Sequence, residues 1–203
     1  MIKGPAESSM GKALFVALMF TFYYGPAASI VSAGEIVCSL AVPEWSRTDP
    51  PVDRGHIFCG DINRKGRATG YHHRPDGQDP PTARIGRISR RSDTTGVYIS
   101  DQVEVWDGND WRRKKHISSF FPDHCSPRQV LASIAFAAGQ PSCQLGRGKW
   151  RGWSAPAIAQ NADSHCRGLD GRPLVVEGYW QGRAGDRVAT AWPRLRSDRL
   201  SCD

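Results

Sequence analysis

The sequence contains no pair of cysteines separated by two residues, and its histidines and cysteines follow no familiar spacing of a structural zinc module. This absence argues against a zinc-stabilised fold. The competing interpretation is a zinc site built from Cys59, His56, His72 and His73. All six cysteines lie beyond residue 33, and an even number in an exported chain favours three disulfides. The sequence leaves their pairing open.

Acidic residues are in short supply. The chain has 27 Lys and Arg against 20 Asp and Glu, a formal net charge of +7. Removal of residues 1–33 would take away two lysines and one glutamate and leave +6. Such an excess suits a polyanionic partner such as RNA, whose phosphates bind Lys and Arg in a salt-dependent manner. A basic surface that only keeps an exported protein soluble has the same composition.

The N-terminal segment 1–33 has the pattern of a secretory signal peptide. Lys3 and Lys12 precede an uncharged apolar run, ALFVALMFTFYY, and a small-residue cleavage site ends at Ala33. An uncleaved membrane anchor is the alternative, which the glycine and proline directly after the run disfavour. Cleavage predicts a secreted or periplasmic protein with one domain over residues 34–203 and no stable membrane association.

A segment rich in imidazoles, basic residues and turn formers runs from Gly55 to Gly77. His56 opens an apolar, β-prone run, and a turn-rich connector leads to a second short run that ends at His72 and His73. Two strands joined by this connection would bring His56 and His72 together. Two imidazoles can divide acid and base work near neutral pH. Because consecutive strand residues face opposite ways, only one of His72 and His73 can point into a cleft.

Three motifs follow one another along the chain. H-I-F-C-G-D begins at His56, and G-Y-H ends at His72, sixteen residues later. Lys115 begins a K-x-x-S motif followed by F-F-P, and T-A-W-P begins at Thr190. In this order the motifs resemble those of the EndoU ribonucleases, whose last motif has Tyr where this chain has Trp192. Together they cover most of the chain after the N-terminal segment.

The resemblance implies an α+β fold, EndoU-like, with antiparallel β-sheets packed against a few helices and stabilised by disulfides. It also implies an endoribonuclease that cleaves single-stranded RNA at uridines by transesterification and leaves a 2′,3′-cyclic phosphate. His72 would be the general base and His56 the general acid, although the sequence does not decide which histidine takes which role. Lys115 would stabilise charge growing on the phosphate, with Lys114 as the alternative.

Substrate recognition falls, by the same resemblance, to Ser119 and Trp192, in place of a serine and a tyrosine that contact uracil in similar enzymes. Stacking survives the change from Tyr to Trp, but the indole cannot accept a hydrogen bond. Thr190 would position the lysine or the phosphate. The reaction requires no cofactor in principle, and a role for Mn²⁺ stays open.

The biological setting also admits alternatives. An exported ribonuclease can serve as a toxin or effector, and its producer would then carry a cognate immunity or inhibitor protein. The alternative is a non-catalytic secreted module that binds RNA or interacts with a surface. In such a module the basic loops would contribute to binding, and the histidines would have no role. A metal-dependent hydrolase is a third hypothesis, which insensitivity to EDTA would exclude.

The scaffold is predicted from local patterns. Residues 96–106 alternate as a strand and end at the turn signal D-G-N-D. Ser126 caps the clearest helix, which ends at Gly139. Residues 173–181 and 187–192 are predicted as a hairpin, which would return the T-A-W-P motif toward the histidines.

Two basic segments have two interpretations each. Residues 74–91 are predicted as an extended surface loop. Four of its arginines either bind RNA phosphates or only face solvent. These are Arg84, Arg87, Arg90 and Arg91. Residues 143–166 are predicted as a cysteine-bounded surface loop that binds no ligand or whose basic and aromatic residues track an RNA strand. The residues in question are Lys149, Trp150, Arg151 and Trp153.

Overall fold

The computed structural model describes residue 38 and residues 44–158, 162–182, 185–196 and 200–202. Segment 1–33, predicted as a signal peptide, lies outside these residues. The helices are α1 (Arg54–Phe58) and α2 (Pro127–Gly139), with 3₁₀ turns at Pro75–Gly77 and Ala162–Ser164. The strands are β1 (Asp61–Ile62), β2 (Ala68–Thr69), β3 (Ala83–Ile85), β4 (Arg90–Arg91), β5 (Tyr98–Ser100), β6 (Val103–Trp106), β7 (Trp111–Arg113), β8 (Ser118–Phe120), β9 (Cys143–Gln144), β10 (Lys149–Trp153), β11 (Val175–Trp180) and β12 (Val188–Pro193).

These strands pair antiparallel and, within the described ranges, form four sheets. The sheets are β1–β2, β3–β6–β7, β4–β5–β8 and β9–β10–β11–β12. Helix α2 packs on the last of them, where Ile134 shares a core with Trp150 and Val176. A second core contains Tyr71, Tyr98 and other side chains of the smaller sheets. This architecture confirms the predicted α+β class.

Helix α2 forms as its sequence predicts. The Ser126 side chain accepts a hydrogen bond from the backbone of Gln129, and the Gln129 side chain accepts one from the backbone of Ser126, a complete capping box. The helix backbone approaches β10 closely at Gly152, where an added Cβ would lie 2.6 Å from the carbonyl oxygen of Ala137. Only glycine fits there, so Gly152 sets the distance between the helix and the large sheet.

The segment 96–106 is two strands rather than the single strand predicted. Strand β5 pairs with β4 and β8, whereas β6 pairs with β3 and β7. The chain changes sheet at Asp101, whose carboxylate accepts hydrogen bonds from Arg87 and Ser89. The predicted turn after β6 is confirmed, because the backbone N–H of Asp107 donates to the carbonyl oxygen of Asp110.

The segment 143–166 is not a loop across its basic part, so the predicted loop is wrong there, whereas contact of its basic residues with RNA stays a prediction. Residues 149–153 form β10, between β9 and β11. Trp150 points into the core and is fully buried, while Arg151, on the other face, forms an ion pair with Glu177 at 2.6 Å. Alternation along a central strand thus places the tryptophan in the core and away from any ligand.

The segment 74–91 is also more ordered than predicted, since it contains β3 and β4. Three of the four arginines singled out from the sequence form ion pairs on the surface. The pairs are Arg84 with Glu104, Arg87 with Asp101 and Arg91 with Asp123. Each of these three guanidinium groups has a carboxylate partner, whereas Arg90 lines a cavity.

Three disulfides join the cysteines in the pairs Cys38–Cys59, Cys125–Cys166 and Cys143–Cys202. Their Cα atoms lie 5.3–5.4 Å apart, a normal separation. The predicted number of bridges is confirmed. None of the helices in the described part of the chain has the length and apolar character needed to cross a membrane.

Candidate active site

His56 lies in α1 and not in a strand, contrary to the prediction. Asp53 caps this short helix by accepting a hydrogen bond from the backbone N–H of His56 at 3.0 Å. The backbone of residues 71–72 then pairs with the helix, since Tyr71 N–H donates to His56 O and His72 N–H donates to Ile57 O, both at 2.7 Å. The predicted proximity of the two imidazoles is nevertheless observed, with ring centroids 6.2 Å apart.

The close approach of these two segments depends on Gly70. Its φ is +70°, and an added Cβ would lie 2.3 Å from the carbonyl oxygen of His56. Tyr71 also has a positive φ of 63°, which is unfavourable for an aromatic residue and costs on the order of 1–3 kcal/mol. The backbone directly before His72 is therefore held in a strained form that aims the next side chain toward His56.

His72 faces a cavity, whereas His73 is fully buried beneath it against Phe58. The Nδ1 atom of His72 lies 3.0 Å from the backbone oxygen of Ser119. A carbonyl oxygen only accepts, so Nδ1 carries the hydrogen, and in the neutral ring Nε2 carries the lone pair. Burial, with the positive charges of Lys114 and His56 nearby, holds the pKa of His72 well below its usual value. His72 is thus a neutral imidazole with a free basic nitrogen.

His56 has a different partner. Its Nδ1 atom lies 2.8 Å from the carboxylate of Asp61, and Thr69 donates a hydrogen bond to the other oxygen of that carboxylate at 3.0 Å. The hydrogen bond with His56 lowers the pKa of Asp61, which stays ionised. An ionised carboxylate only accepts hydrogen bonds, so Nδ1 of His56 carries a hydrogen and a negative charge lies directly beside the ring. Asp61 is the acidic last residue of the H-I-F-C-G-D motif, so the sequence motif could have identified it as a site residue.

The lysine of the cavity is Lys114. Its Nζ donates to the carbonyl oxygen of Gly70 at 2.7 Å and to the hydroxyl of Ser118. Burial lowers its pKa to about 8, so the ammonium form predominates at pH 7. Lys115 is exposed and does not line the cavity.

The structure therefore brings Lys114, the alternative, to the cavity in place of Lys115. The physical reason is the alternation of side chains after β7. The backbone N–H of Lys114 donates to Val103 on the neighbouring β6, which continues the strand pairing by one residue. This pairing turns Lys114 toward the histidines and leaves the next side chain in solvent. The catalytic role of the lysine stays a prediction.

Ser119, Thr190 and Trp192 meet the histidines from two other strands. Ser119 on β8 donates its hydroxyl hydrogen to the carbonyl oxygen of Pro193 at 2.6 Å and so ties β8 to β12. The ring centroid of Trp192 on β12 lies 5.8 Å from that of His72. The predicted hairpin of β11 and β12 is confirmed, and it returns Thr190 and Trp192 to the histidines.

The candidate residues share one open cavity of about 990 Å³. It is lined by His56, His72, Lys114, Ser119, Thr190 and Trp192, among others. Of two further lining residues, Tyr179 was not predicted as a site residue, and Arg90 is one of the arginines for which phosphate binding was one of two interpretations. The cavity thus combines two imidazoles, an ammonium group, two hydroxyls and an exposed aromatic ring, groups that can transfer protons, stabilise negative charge and stack on a planar ring.

The family model of the bacterial EndoU nuclease matches residues 52–193. This range includes all the lining residues of the cavity except the three that follow Pro193. The chain belongs to the bacterial EndoU nuclease family. It is therefore an endoribonuclease, and RNA is its substrate. The match confirms the family that the three motifs resemble. No curated protein and no solved structure matches the chain significantly.

The EndoU site offers no ready set of metal ligands among the described residues. Within those ranges, no three His, Cys, Asp or Glu side chains are grouped so that they could hold an ion. Cys59, part of the competing zinc interpretation, is bonded to Cys38 and has no thiolate to offer. The side chains that line the cavity therefore do not fit a resident Zn²⁺ or Mn²⁺.

Proposed function

We propose that this EndoU nuclease cleaves single-stranded RNA by transesterification, with His72 as the general base and His56 as the general acid. The observation that carries the proposal is the difference between the partners of the two Nδ1 atoms. His72 donates to a neutral backbone carbonyl, whereas His56 faces the ionised carboxylate of Asp61. The first partner places no charge beside the ring, whereas the second places a negative charge beside it, which suits the ring that delivers the proton.

In the first step, Nε2 of His72 removes the hydrogen of the ribose 2′-hydroxyl. The 2′-oxygen attacks the neighbouring phosphorus and forms a five-coordinate phosphorane. Such a proton transfer contributes about 10²–10⁴ in rate. The lowered pKa of His72 keeps Nε2 available at neutral pH.

In the second step, Nε2–H of His56 protonates the departing 5′-oxygen as its bond to phosphorus breaks. The products are a 2′,3′-cyclic phosphate and a 5′-hydroxyl end. Lys114 lies where its ammonium can stabilise charge on the non-bridging oxygens, fixed by its bonds to Gly70 and Ser118. All transferred atoms come from the RNA and the two imidazoles, so the chemistry requires no metal ion.

Base recognition is assigned to Trp192 and Ser119. The Trp192 ring offers a stacking face beside His72, and the Ser119 hydroxyl, which donates to Pro193, keeps its lone pairs for a donor on the base. The uracil N3–H is such a donor, which supports a preference for uridine. Thr190 lines the same cavity and would position the phosphate.

The cellular role is proposed as that of an exported toxin or effector, with a cognate inhibitor in the producing cell. Three disulfides suit an oxidising compartment, either the periplasm or the outside of the cell. Expression of residues 34–203 without the N-terminal segment tests the idea. Growth arrest that depends on His72 would support it, and unimpaired growth with active enzyme present would oppose it.

The mechanism is tested with oxidised protein of residues 34–203 and a short RNA that contains one uridine, in EDTA. The parent should leave 2′,3′-cyclic phosphate ends, and His56→Ala and His72→Ala should leave none above background. Mn²⁺ is added in a parallel series. Intact RNA with the folded parent, also with Mn²⁺, would refute the mechanism and favour the non-catalytic RNA-binding module. Cleavage that only Mn²⁺ supports would refute the metal-free reaction.

A further inference from the structure

The hairpin of β1 and β2 begins beside the candidate active site. In its first pair, Asp61 lies opposite Thr69, whose hydroxyl donates to the same carboxylate that contacts His56. Thr69 also lines the cavity. Because His56 is the proposed general acid, this hairpin lies on the side of the cavity where the 5′-oxygen departs.

The far end of this hairpin is the segment N-R-K-G-R, residues 63–67, which we call the basic tip. The side-chain oxygen of Asn63 accepts hydrogen bonds from the backbone N–H groups of Lys65 at 2.9 Å and Arg67 at 3.2 Å. Gly66 supplies the positive φ, +68°, that the return of the chain requires. These features fix the course of the backbone, so the cationic side chains project from an ordered turn.

The three positive charges of the basic tip have no carboxylate partner. Arg64, Lys65 and Arg67 are exposed, and across the described part of the chain no Asp or Glu forms an ion pair with any of them. By contrast, Arg84 and Arg87 each have a carboxylate partner. Like charges close together repel one another. A polyanion relieves this repulsion, which makes phosphate groups the complementary ligand of the basic tip.

Strand alternation turns one of these cations to the side of the active site. Ala68 packs in the second core and is 6% exposed. Its neighbours Arg67 and Thr69 therefore face away from that core, in the direction in which Thr69 lines the cavity. Two residues of a strand span about 7 Å. Arg67 thus extends the wall of the cavity outward by about this distance, beyond the reach of a substrate that ends at the cleaved bond.

We propose that the basic tip binds the phosphates of the RNA strand on the 3′ side of the cleaved bond. This rests on the proposed function, which places the attacked uridine at Trp192 and His72 and the departing 5′-oxygen at His56. The strand that begins at this oxygen leaves the cavity past Thr69 toward Arg67, so its next phosphates meet the three cations. Phosphate contacts position a strand and carry no sequence information. The enzyme therefore prefers RNA that continues in the 3′ direction, whatever its bases.

Substrates extended in one direction only test this polarity. Each contains one uridine ribonucleotide in an otherwise deoxy strand, so that only one bond can be cleaved. The shortest is a dinucleotide with a deoxyadenosine on the 3′ side. A second substrate has three more deoxyadenosines on the 3′ side, and a third has three on the 5′ side. The readout is kcat/KM on each extended substrate divided by kcat/KM on the dinucleotide, a ratio that cancels effects on the chemical step.

The variant with Arg64→Gln, Lys65→Gln and Arg67→Gln should lose most of the gain that the 3′ extension gives the parent. An exposed charge pair contributes a small free energy, so three of them should change the 3′ ratio by about 3- to 150-fold. The 5′ ratio should be equal in both proteins, because the 5′ extension leaves the cavity away from the hairpin.

A matched control removes three other exposed cations. Arg47, Arg128 and Arg172 are exposed and do not line the cavity. The variant with all three changed to Gln has the same net charge as the basic-tip variant. It should keep the parental 3′ ratio, because a contact with the strand is local, whereas the field of the whole protein depends on total charge. Equal losses in the two variants would overturn the proposal.

Binding of an all-deoxy strand provides a second readout, because a strand without 2′-hydroxyl groups is not cleaved. The slope of log affinity against log salt concentration should fall by about 2 in the basic-tip variant, since each phosphate contact on a single strand contributes about 0.7. The control variant should keep a slope closer to that of the parent. Thermal unfolding checks that each variant is folded.

The two readouts separate failure of the basic tip from failure of the mechanism. Cleavage by the parent with an unchanged 3′ ratio and an unchanged salt slope in the basic-tip variant would retain the mechanism and refute the tip. A gain from the 5′ extension that this variant loses would refute the assigned direction. A reduced salt slope beside a parent that leaves every substrate intact would refute the mechanism and retain the tip as a phosphate-binding site.

Discussion

Replacement of each of two consecutive lysines is the most direct test of the site. Lys114 and Lys115 lie in the same stretch of sequence but have different surroundings in the fold. Lys114 lines the cavity of the candidate active site and donates to Gly70 and Ser118, whereas Lys115 is exposed to solvent. We expect Lys114→Ala to abolish most of the activity and Lys115→Ala to leave it nearly unchanged. The two variants remove the same charge from the same loop, so each controls for the other.

The magnitude follows from the position of the ammonium group. Loss of one preorganised donor to a developing oxyanion lowers kcat by about 10²–10³. Loss of an exposed side chain changes free energies by about 0.5 kcal/mol or less, which is roughly a twofold change in rate. Lys114→Ala also leaves the Gly70 carbonyl and the Ser118 hydroxyl without their donor, at a cost of about 1–3 kcal/mol in stability. Unfolding is therefore measured beside activity.

The assay is single-turnover cleavage of a short RNA that contains one uridine, with urea unfolding of the same preparations. Lys114→Arg, which keeps the charge, should recover part of the lost rate. A folded Lys114→Ala enzyme with parental kcat would refute the assignment. So would a loss in Lys115→Ala that equals the loss in Lys114→Ala.

Three further predictions concern other residues of the domain. Asp61→Asn should lower kcat by about 10- to 150-fold in single-turnover cleavage, since a charged hydrogen bond to His56 contributes about 1.5–3 kcal/mol; an unchanged kcat would contradict the role of Asp61. Trp192→Tyr should retain kcat/KM and raise the preference for uridine over cytidine, whereas Trp192→Leu should lose about 5- to 150-fold; equal rates of the Leu and Tyr variants would exclude stacking. Burial lowers the pKa of His73 to about 4, whereas an unfolded histidine has a pKa of about 6.5. His73 therefore contributes about 3 kcal/mol to the free energy of unfolding above pH 6.5, and this contribution is lost as the pH falls toward 4. Urea unfolding at pH 7 and pH 4.5 should show a smaller pH effect in His73→Leu than in the parent; an equal effect would place the acid sensitivity elsewhere.

Elements with strong local signals were predicted correctly from the sequence. Helix α2 has its cap, its first-turn proline and its apolar stripe within fourteen residues, Ser126 to Gly139. The hairpin of β11 and β12 has alternation on both sides of a turn. These patterns depend on neighbouring residues only, so the sequence is sufficient to read them.

Elements decided by distant partners were not predicted. His56 lies in a helix because Asp53 caps it and because residues 71–72 pair with its carbonyl groups. Strand β10 has a loop-like composition, rich in Gly and cations, and is a strand because β9 and β11 flank it. The choice between two adjacent lysines depends on which residue pairs with β6, a contact that the local sequence does not contain.

Burial in the shared cavity lowers the pKa of both His72 and Lys114 and yet leaves one neutral and the other positively charged. It disfavours the charged form of both groups, so both pKa values fall. Since histidine starts near 6.5 and lysine near 10.5, His72 becomes neutral at pH 7 while Lys114, at about 8, is still mostly protonated. One desolvated pocket thereby supplies a free base and a fixed cation together. The ammonium next to His72 reinforces this division, because its charge further opposes protonation of the imidazole.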